Sequence, residues 1–449
     1  MNSKFIIYQM LPRLFANGKL ADISTEVLAQ LKKLNISYLW LTGIIRHATA
    51  GDKGVKGTAG SPFAIKDYYD INPYLATDED CRDREFTDLI DRAGKAGIGI
   101  MLDFVPNHVS PAYESSREML DDTDFHPGRI HDWDWSDTVK LNYSNRRTWE
   151  KMKNVLAFWA SRGVAGFRCD MVELVPVEFW QWCIGEIKKE WPGIIFVGEA
   201  YNMDNYGPYI DTGGFDYLYD KSGFYDTLKA IVRNQAPASS LTGVWQKIGK
   251  YQDRMLNFLE NHDEDRLTSP SFASDAFRAF AALFVSMYFN TAPFMIYSGQ
   301  EFGEGPEKTS IFDFGRLPST KKWADGIKKG EPLAFMDYTQ KDIYAIYRRF
   351  TENAVNDPVL RCGKTFDLEY ANPRSESFDP DSHFAFLRSY GGTAYLCAAN
   401  FSDKPAEIAV HIPGHAFEYL GISEDGSLNS SSPVRVRIER NSGTLLKIK

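Results

Sequence analysis

The stretch Gly166-Phe167-Arg168-Cys169-Asp170 is typical of a short buried strand that ends on a carboxylate. Two further apolar runs end in a similar way, residues 194–198 before Glu199 and residues 255–259 shortly before Asp263. Taken singly, each acid is equally well explained as a helix N-cap or as the partner of an arginine. Acids at three strand ends of one α/β sheet can instead converge on a common cleft, and converging carboxylates are what glycosidic bond cleavage requires.

The first three quarters of the chain alternate strand-like runs with amphipathic helical patterns. About eight such units favour a parallel sheet closed into a (β/α)8 barrel, the TIM barrel architecture of the α/β class. An open doubly wound sheet is the alternative, which the absence of a GxGxxG opening disfavours. The predicted strands begin near residues 5, 38, 97, 167, 194, 215, 255 and 294.

Two other regions of the chain depart from this alternation. The connection over residues 109–141 is rich in Asp, His and Trp and has little periodicity, which predicts a small inserted loop domain. From about residue 359 short alternating runs are separated by Gly, Asn, Ser and Pro, which predicts an antiparallel β-sandwich domain over 359–449. The barrel is then predicted to comprise residues 1–108 and 142–358.

Charge and composition limit the class of partner. The net charge of −9 disfavours nucleic acid and anionic membranes, whereas a neutral sugar polymer stays compatible. Aromatic residues make up 14% of the chain, and aromatic rings can stack on sugar faces, although core packing explains most of them. No apolar run reaches the ~18 residues of a membrane span. Without an apolar leader the chain as given is expected to be cytoplasmic, and a secreted or periplasmic protein whose leader had been removed would look the same.

Cysteine and histidine patterns give no metal or disulfide framework. The five cysteines are scattered without a CxxC pair, which indicates neither a zinc site nor a set of disulfides. A metal-dependent hydrolase on a barrel would need a His-x-His pair or its equivalent at strand ends, and the sequence has none.

Four segments carry a family resemblance by their order along the chain. They are residues 103–108 (DFVPNH), 166–170 (GFRCD), 198–200 (GEA) and 261–263 (NHD). In this order they resemble the four signature regions of the α-amylase family, glycoside hydrolase family 13, at the ends of barrel strands three, four, five and seven. The opening YQMLPRLF of residues 8–15 and the YSGQE of residues 297–301 are similar to that family's first and eighth strands.

The resemblance implies roles for individual residues. Asp170 would be the nucleophile, Glu199 the general acid and base, and Asp263 the stabiliser of the transition state. Such chemistry needs one ionised carboxylate and one protonated acid. Arg168, two residues before Asp170 on the same strand face, can keep Asp170 ionised, and apolar walls with neighbouring acids would keep Glu199 protonated. Substrate binding is assigned to Phe63, His108, Arg168, Tyr201 and His262.

Asn107 matches a position that in many relatives helps to hold calcium. Calcium prefers six to eight oxygen ligands. The acids of the inserted segment have a spacing that fits no calcium loop, so solvated acids are the preferred interpretation of them. No cofactor is expected to be required, and a structural calcium ion remains what the resemblance implies.

The sequence also departs from the family pattern. Glu173 and Leu174 stand where many relatives carry a Lys-His pair that binds the leaving side of the substrate, which argues against endo-acting starch cleavage with the usual subsites. Trp133 and Trp135 are candidate walls for further sugar rings. The predicted function is a retaining hydrolase of α-glucans such as starch or of maltooligosaccharides; an α-glucanotransferase and a non-catalytic glucan-binding protein are the alternatives.

Overall fold

A computed structural model describes residues 4–115, 117–307, 309–423 and 429–449. Its centre is a closed barrel of eight strands, as the sequence predicts, and every neighbouring pair in it is parallel. The strands are β1 Ile6–Met10, β2 Ile36–Leu41, β3 Gly99–Phe104, β4 Gly166–Cys169, β5 Ile195–Gly198, β6 Tyr217–Tyr219, β7 Met255–Phe258 and β8 Phe294–Tyr297.

Short apolar strands suit this position because both faces of a parallel barrel are covered. All residues of β1, β4, β7 and β8 are buried. Two glycines allow close contacts between strands: an added Cβ at Gly166 would lie 2.7 Å from Ile195, and one at Gly198 would lie 2.7 Å from Leu218. The barrel interior is therefore a packed core, and a site can form only at its rim.

Helices cover the barrel from outside and connect its strands. They are α1 Thr25–Lys33, α2 Arg82–Lys95, α3 Arg146–Ser161, α4 Val177–Glu190, α5 Asp226–Val232, α6 Ser240–Ile248, α7 Phe280–Tyr288, α8 Pro318–Lys328, α9 Tyr338–Asn356 and α10 Pro358–Cys362. The sequence patterns had predicted neither α6 nor α8. Both are short amphipathic helices without a long periodic run.

The connection between β5 and β6 differs from the other connections, and the sequence patterns indicate no helix there. Between β5 and β6 the described chain forms a 3-10 turn at Met203–Asn205 and a five-residue π-helix at Pro208–Thr212 in place of an α-helix. The segment carries Asn202, Pro208 and a Gly213-Gly214 pair, and residues of these types do not sustain an α-helix. The connection that begins directly after Glu199 is consequently a shaped loop.

Two hairpins rise above the strand ends. Ile45–His47 pairs antiparallel with Ile65–Ile71, and His108–Val109 pairs with Val139–Lys140. The second hairpin encloses the predicted inserted segment, in which a 3-10 turn forms at Asp122–Asp124. Both hairpins lie on the side from which the candidate site residues project.

The C-terminal region forms antiparallel sheets, as predicted for this fold class. One sheet has the order β9-β10-β11-β14, and β12 pairs with β13. Their bounds are β9 Lys364–Asp367, β10 His383–Tyr390, β11 Thr393–Asn400, β12 Ala406–Val410, β13 Val434–Ile438 and β14 Ser442–Lys447. A short helix, α11 Gly414–Leu420, interrupts the predicted run of strands.

Arg388 on β10 joins this region to the barrel. Its side chain is fully buried, and its guanidinium donates to the carbonyl oxygen of Tyr288, the last residue of α7, at 2.5 Å. It also donates to the carbonyls of Val359, Leu360 and Gly363 at 3.2, 3.0 and 2.9 Å. A cation at helix C-terminal carbonyls is favourable.

None of the helices that the structure describes combines the length and hydropathy that crossing a lipid bilayer requires.

Candidate active site

The ends of three barrel strands carry the three predicted carboxylates. Asp170 directly follows β4, Glu199 directly follows β5, and Asp263 lies in the loop after β7. All three line one cavity at the C-terminal rim of the barrel. Asp170 and Glu199 are 5% and 3% exposed, whereas the side chain of Asp263 is 37% exposed. The structure therefore brings the three acids together, two of them deep and one facing the opening.

The guanidinium of Arg168 connects the two deep acids. Its Nη1 donates to Asp170 Oδ1 at 2.6 Å, and its Nη2 lies 2.7 Å from Glu199 Oε2. A third carboxylate, Asp103, lies 3.7 Å from Nη1. One buried cation thus serves several buried acids, which lowers the cost of burying each of them.

Aromatic rings hold that guanidinium in place. The carbon of the Arg168 guanidinium lies 5.6 Å from the ring centres of Trp40 and Tyr219 and 5.3 Å from that of Phe63. Arg168 Nε also donates to the Tyr219 hydroxyl at 3.2 Å. A planar cation among ring faces is favourable and has few alternative orientations. The Arg168 guanidinium therefore holds Asp170 and Glu199 in fixed positions.

Burial and neighbouring charges shift the pKa values of the two deep acids. Burial raises the pKa of Glu199 to about 7, with Asp170 and Asp263 adding to the rise and Arg168 opposing it. Burial also raises the pKa of Asp170 above its ordinary value, although Arg168 opposes this through charge and a hydrogen bond. Arg168 acts at Asp170 in the predicted direction, towards the ionised form, but complete burial has the larger effect on the pKa.

Both oxygens of Glu199 have partners in neighbouring loops. Met171 donates its backbone N–H to Oε2 at 2.9 Å, and the Tyr201 hydroxyl donates to Oε1 at 2.7 Å. Met171 has a φ of +41°, which is uncommon for a residue with a side chain. Strained backbone next to a buried acid is typical of a functional site.

The loop after β7 places a histidine beside the third acid. His262 Nε2 lies 3.0 Å from Asp263 Oδ2, and Gln9 Nε2 lies 2.7 Å from His262 Nδ1. Asn261 fixes the turn, because its side-chain oxygen accepts from the Asp263 N–H at 2.8 Å.

The cavity has a volume of about 610 Å³, within the range of ~300–1,000 Å³ that is common for small-molecule sites. It is lined by Lys56, Ser61, Phe63, His108, Trp133, Asp134, Trp135, Asp137, Thr138, Asp170, Met171, Glu199, Tyr201, Asp263, Ile311 and Phe312. Of the predicted substrate-binding residues, Phe63, His108 and Tyr201 line it. Arg168 and His262 lie behind its wall.

Two tryptophans form an outer wall. Trp133 is 64% exposed and has a φ of +45°, and its ring centre lies 4.7 Å from that of Trp135. Trp135 in turn lies 5.3 Å from the ring of His108. Burial lowers the pKa of His108 to about 4, so at neutral pH its ring is uncharged and can hydrogen-bond a neutral ligand.

The surroundings of Asn107 do not fit a calcium ion. Its side-chain amide donates to Asp132 Oδ2 at 2.8 Å, and the Lys140 ammonium lies 2.7 Å from Asp132 Oδ1. The position therefore already holds a cation, and it offers far fewer free oxygens than calcium prefers. Among the described residues no group of three or more His, Cys, Asp or Glu is arranged to hold a metal ion.

Several cavity residues were not predicted from the sequence. Lys56 pairs with Asp137 at 2.9 Å, which ties the glycine-rich loop to the inserted segment. Phe312 comes from the segment after β8, and its backbone carbonyl accepts from Ala59 at 2.8 Å. The only feature of the sequence that points to these contacts is the concentration of glycines over residues 51–60. A Cβ added at Gly57 would clash with Phe312.

Comparison with known proteins identifies the relatives of this chain. The model of the α-amylase catalytic domain matches residues 9–136 and 131–362. Alpha-amylase 3 of Dictyoglomus thermophilum is 25% identical over 416 residues, 80% of this chain and 78% of that protein. The α-1,4-glucan:maltose-1-phosphate maltosyltransferase of Picrophilus torridus is 28% identical over 236 residues. That match covers 47% of this chain and 35% of the transferase, so the chain spans only about a third of that relative.

Solved structures support the fold. The crystal structure of an α-amylase from Lactobacillus plantarum superposes with a TM-score of 0.73 over 99% of both chains, at 22% identity. At this identity the likeness concerns the architecture and not the substrate.

Proposed function

The chain belongs to the α-amylase family, and from this premise we propose that it cleaves α-glucosidic bonds of maltooligosaccharides or α-glucans with retention of configuration. The observation that carries the proposal is that Asp170 and Glu199 line one sugar-sized cavity and both contact the guanidinium of Arg168 behind its wall. Sharing one planar group keeps the two carboxyl groups close, and retaining enzymes need a separation of about 5–5.5 Å.

The proposed reaction has two steps. Asp170 attacks the anomeric carbon while Glu199 gives its proton to the leaving oxygen, so that a glucosyl ester forms on Asp170. Water then attacks the same carbon while Glu199 takes a proton from that water, and the ester bond to Asp170 breaks. A pKa of about 7 for Glu199 suits a group that must act as acid first and as base second. Asp263, at the open side, would stabilise the positive charge that develops on the sugar ring.

Transfer to a sugar acceptor is the second candidate function. It uses the same residues, with a sugar hydroxyl in place of water. Two similar proteins support this second candidate. They are the maltosyltransferase named above and a cyclomaltodextrin glucanotransferase of Bacillus licheniformis, 24% identical over 382 residues.

A substrate panel tests the proposal. The enzyme is incubated with maltoheptaose, pullulan, isomaltose, trehalose and sucrose, and products are followed by NMR from the first minutes. We expect the new reducing ends to appear first as the α-anomer. Shorter products alone indicate hydrolysis, and products longer than the substrate indicate transfer. Early β-anomer, or no cleavage of any of the five sugars, would contradict the proposal.

A further inference from the structure

The turn after β4 is tied to the loop after β5 through one carboxylate. Glu173 Oε2 accepts from the backbone N–H groups of Tyr201 and Asn202 at 2.8 and 3.2 Å. Glu173 Oε1 accepts from the side-chain amide of Asn205 at 2.8 Å. The three donors belong to the segment that replaces an α-helix between β5 and β6. Glu173 therefore fixes the start of a segment whose regular structure is limited to a 3-10 turn and a short π-helix.

That segment carries the partner of the general acid. The Tyr201 hydroxyl donates to Glu199 Oε1 at 2.7 Å, while Glu199 Oε2 faces the Met171 N–H and lies against Arg168. Neither of those two donors can accept a proton. When Glu199 is neutral, its proton must consequently reside on Oε1, the oxygen that Tyr201 contacts.

We propose that Tyr201 is a positioning residue for proton transfer by Glu199, and that Glu173 acts through it by holding the Tyr201 segment. The inference rests on the proposed function and adds the residues that control its acid. It also gives a role to Glu173, which stands where many relatives have a lysine and which here holds protein backbone.

The hydroxyl of Tyr201 acts at both steps. In the first step the proton leaves Oε1 for the glycosidic oxygen, which takes the electron pair of the breaking bond to the anomeric carbon. The ionised Oε1 then accepts a hydrogen bond from Tyr201. In the second step the attacking hydroxyl gives its proton to Oε1 as the bond to Asp170 breaks. Because a hydrogen bond from a hydroxyl stabilises the ionised carboxylate more than the neutral acid, Tyr201 keeps Glu199 able to give up its proton.

Other groups also act on Glu199 and stay constant in the experiment. They are Arg168, Asp170, Asp263, Tyr219, His108 and the Met171 backbone N–H, besides Tyr201 itself. A variant that removes only the Tyr201 hydroxyl therefore isolates one hydrogen bond against a fixed electrostatic background.

The test compares pH profiles of kcat/KM for Tyr201→Phe, Glu173→Gln and the double variant. Loss of the hydroxyl should move the basic limb to higher pH, by about half a unit or more, and should lower kcat about tenfold or more. Glu173→Gln should move the limb in the same direction by a smaller amount. The double variant should move it no further than Tyr201→Phe, because both changes act on the same hydrogen bond.

Tyr209→Phe is the matched control, because the Tyr209 hydroxyl in the same connection donates to the Val175 carbonyl and not to Glu199. Its basic limb should stay in place. A merely structural role for Tyr201 would lower the melting temperature or the active fraction and leave the limb unmoved, which would overturn the inference. Wild-type enzyme that cleaves no α-glucoside would instead overturn the proposed function.

Discussion

Asp170 and Glu199 contact two nitrogens of the same guanidinium, that of Arg168, at 2.6 and 2.7 Å. The shared cation does not make them equal. Arg168 forms a hydrogen bond with Asp170, and burial raises the pKa of Glu199 to about 7. In the proposed reaction Asp170 must be ionised while Glu199 is protonated, which is the division of roles that retaining glycosidases need.

Replacing the proposed nucleophile should abolish turnover without unfolding the protein. Asp170→Asn keeps the shape of the side chain and removes its negative charge, so we expect kcat on maltooligosaccharides to fall by roughly four orders of magnitude or more. The measurement is initial-rate kinetics together with circular dichroism. Asp122→Asn, at a side chain that is 92% exposed in the inserted segment, is the control and should keep full activity. Near-full turnover by Asp170→Asn would exclude Asp170 as the nucleophile.

The pH profile of kcat/KM should be bell-shaped. Glu199 must be protonated to act as acid, and burial raises its pKa to about 7, so activity should fall as the pH rises through about 7. Asp170 must be ionised, and burial raises its pKa, so activity should fall on the acid side at a pH above the ordinary value for aspartate. Rates measured in buffers of constant ionic strength test both limbs. A rate that still rises above about pH 8 would contradict the assignment of the acid.

Removing the charge of Glu199 should stabilise the protein at alkaline pH. A carboxyl whose pKa rises from 4.5 to about 7 on folding costs stability once it ionises, so wild-type stability should decline between these values. Glu199→Gln lacks this cost and should be more stable at pH 8 by about 3 kcal/mol, with little difference at pH 4. Urea unfolding at both pH values measures the effect. An equal difference at the two pH values would argue against a raised pKa.

A chelator should leave the melting temperature unchanged. Lys140 and Asp132 form an ion pair at the position where the family resemblance implies calcium. Because that pair is about four-fifths buried, Lys140→Met should lower the free energy of unfolding by about 1 kcal/mol or more. Lys153→Met, which breaks a more exposed pair with Glu150, should cost less than half of that. A fall of several degrees with EDTA that added calcium reverses would show that a calcium site exists elsewhere.

Trp133 should contribute to substrate binding and not to stability. Its ring is 64% exposed at the cavity wall, and its φ of +45° suits glycine better. Trp133→Gly should therefore leave stability unchanged or raise it by up to about 1 kcal/mol. We expect KM for maltoheptaose to rise about fivefold as a stacking contact worth about 1 kcal/mol is lost. Trp133→Phe keeps an aromatic face and should show a smaller rise. An unchanged KM for both variants would rule out a stacking role.

The barrel could be predicted because each of its strands is a short apolar run. The three carboxylates could be predicted because an acid at the end of such a run lies at the rim. Lys56 and Phe312 could not, because each comes from a loop whose position depends on contacts with distant parts of the chain. Gln9 looked like part of an apolar strand, and only the structure shows its amide at His262.

The electrostatics were predicted in part. Apolar walls and neighbouring acids were expected to raise the pKa of Glu199, and the structure agrees. The net rise at Asp170 was not expected, because the sequence shows its arginine but not the depth at which the pair lies. Depth depends on how completely the loops close over the rim, and that depends on packing among many segments rather than on local pattern.

Arg388 links the C-terminal strands to the barrel through hydrogen bonds to the ends of two barrel helices. Without β10, the carbonyl oxygens at the ends of α7 and α10 would lose their shared donor, and Phe284, which packs against Phe386, would be uncovered. A barrel produced without the C-terminal region would thus expose an apolar side chain and would lack this hydrogen-bond donor at two helix ends. The barrel and the C-terminal strands therefore form one structural unit. A chimera that carries the C-terminal region of a relative would need an arginine at the position of Arg388.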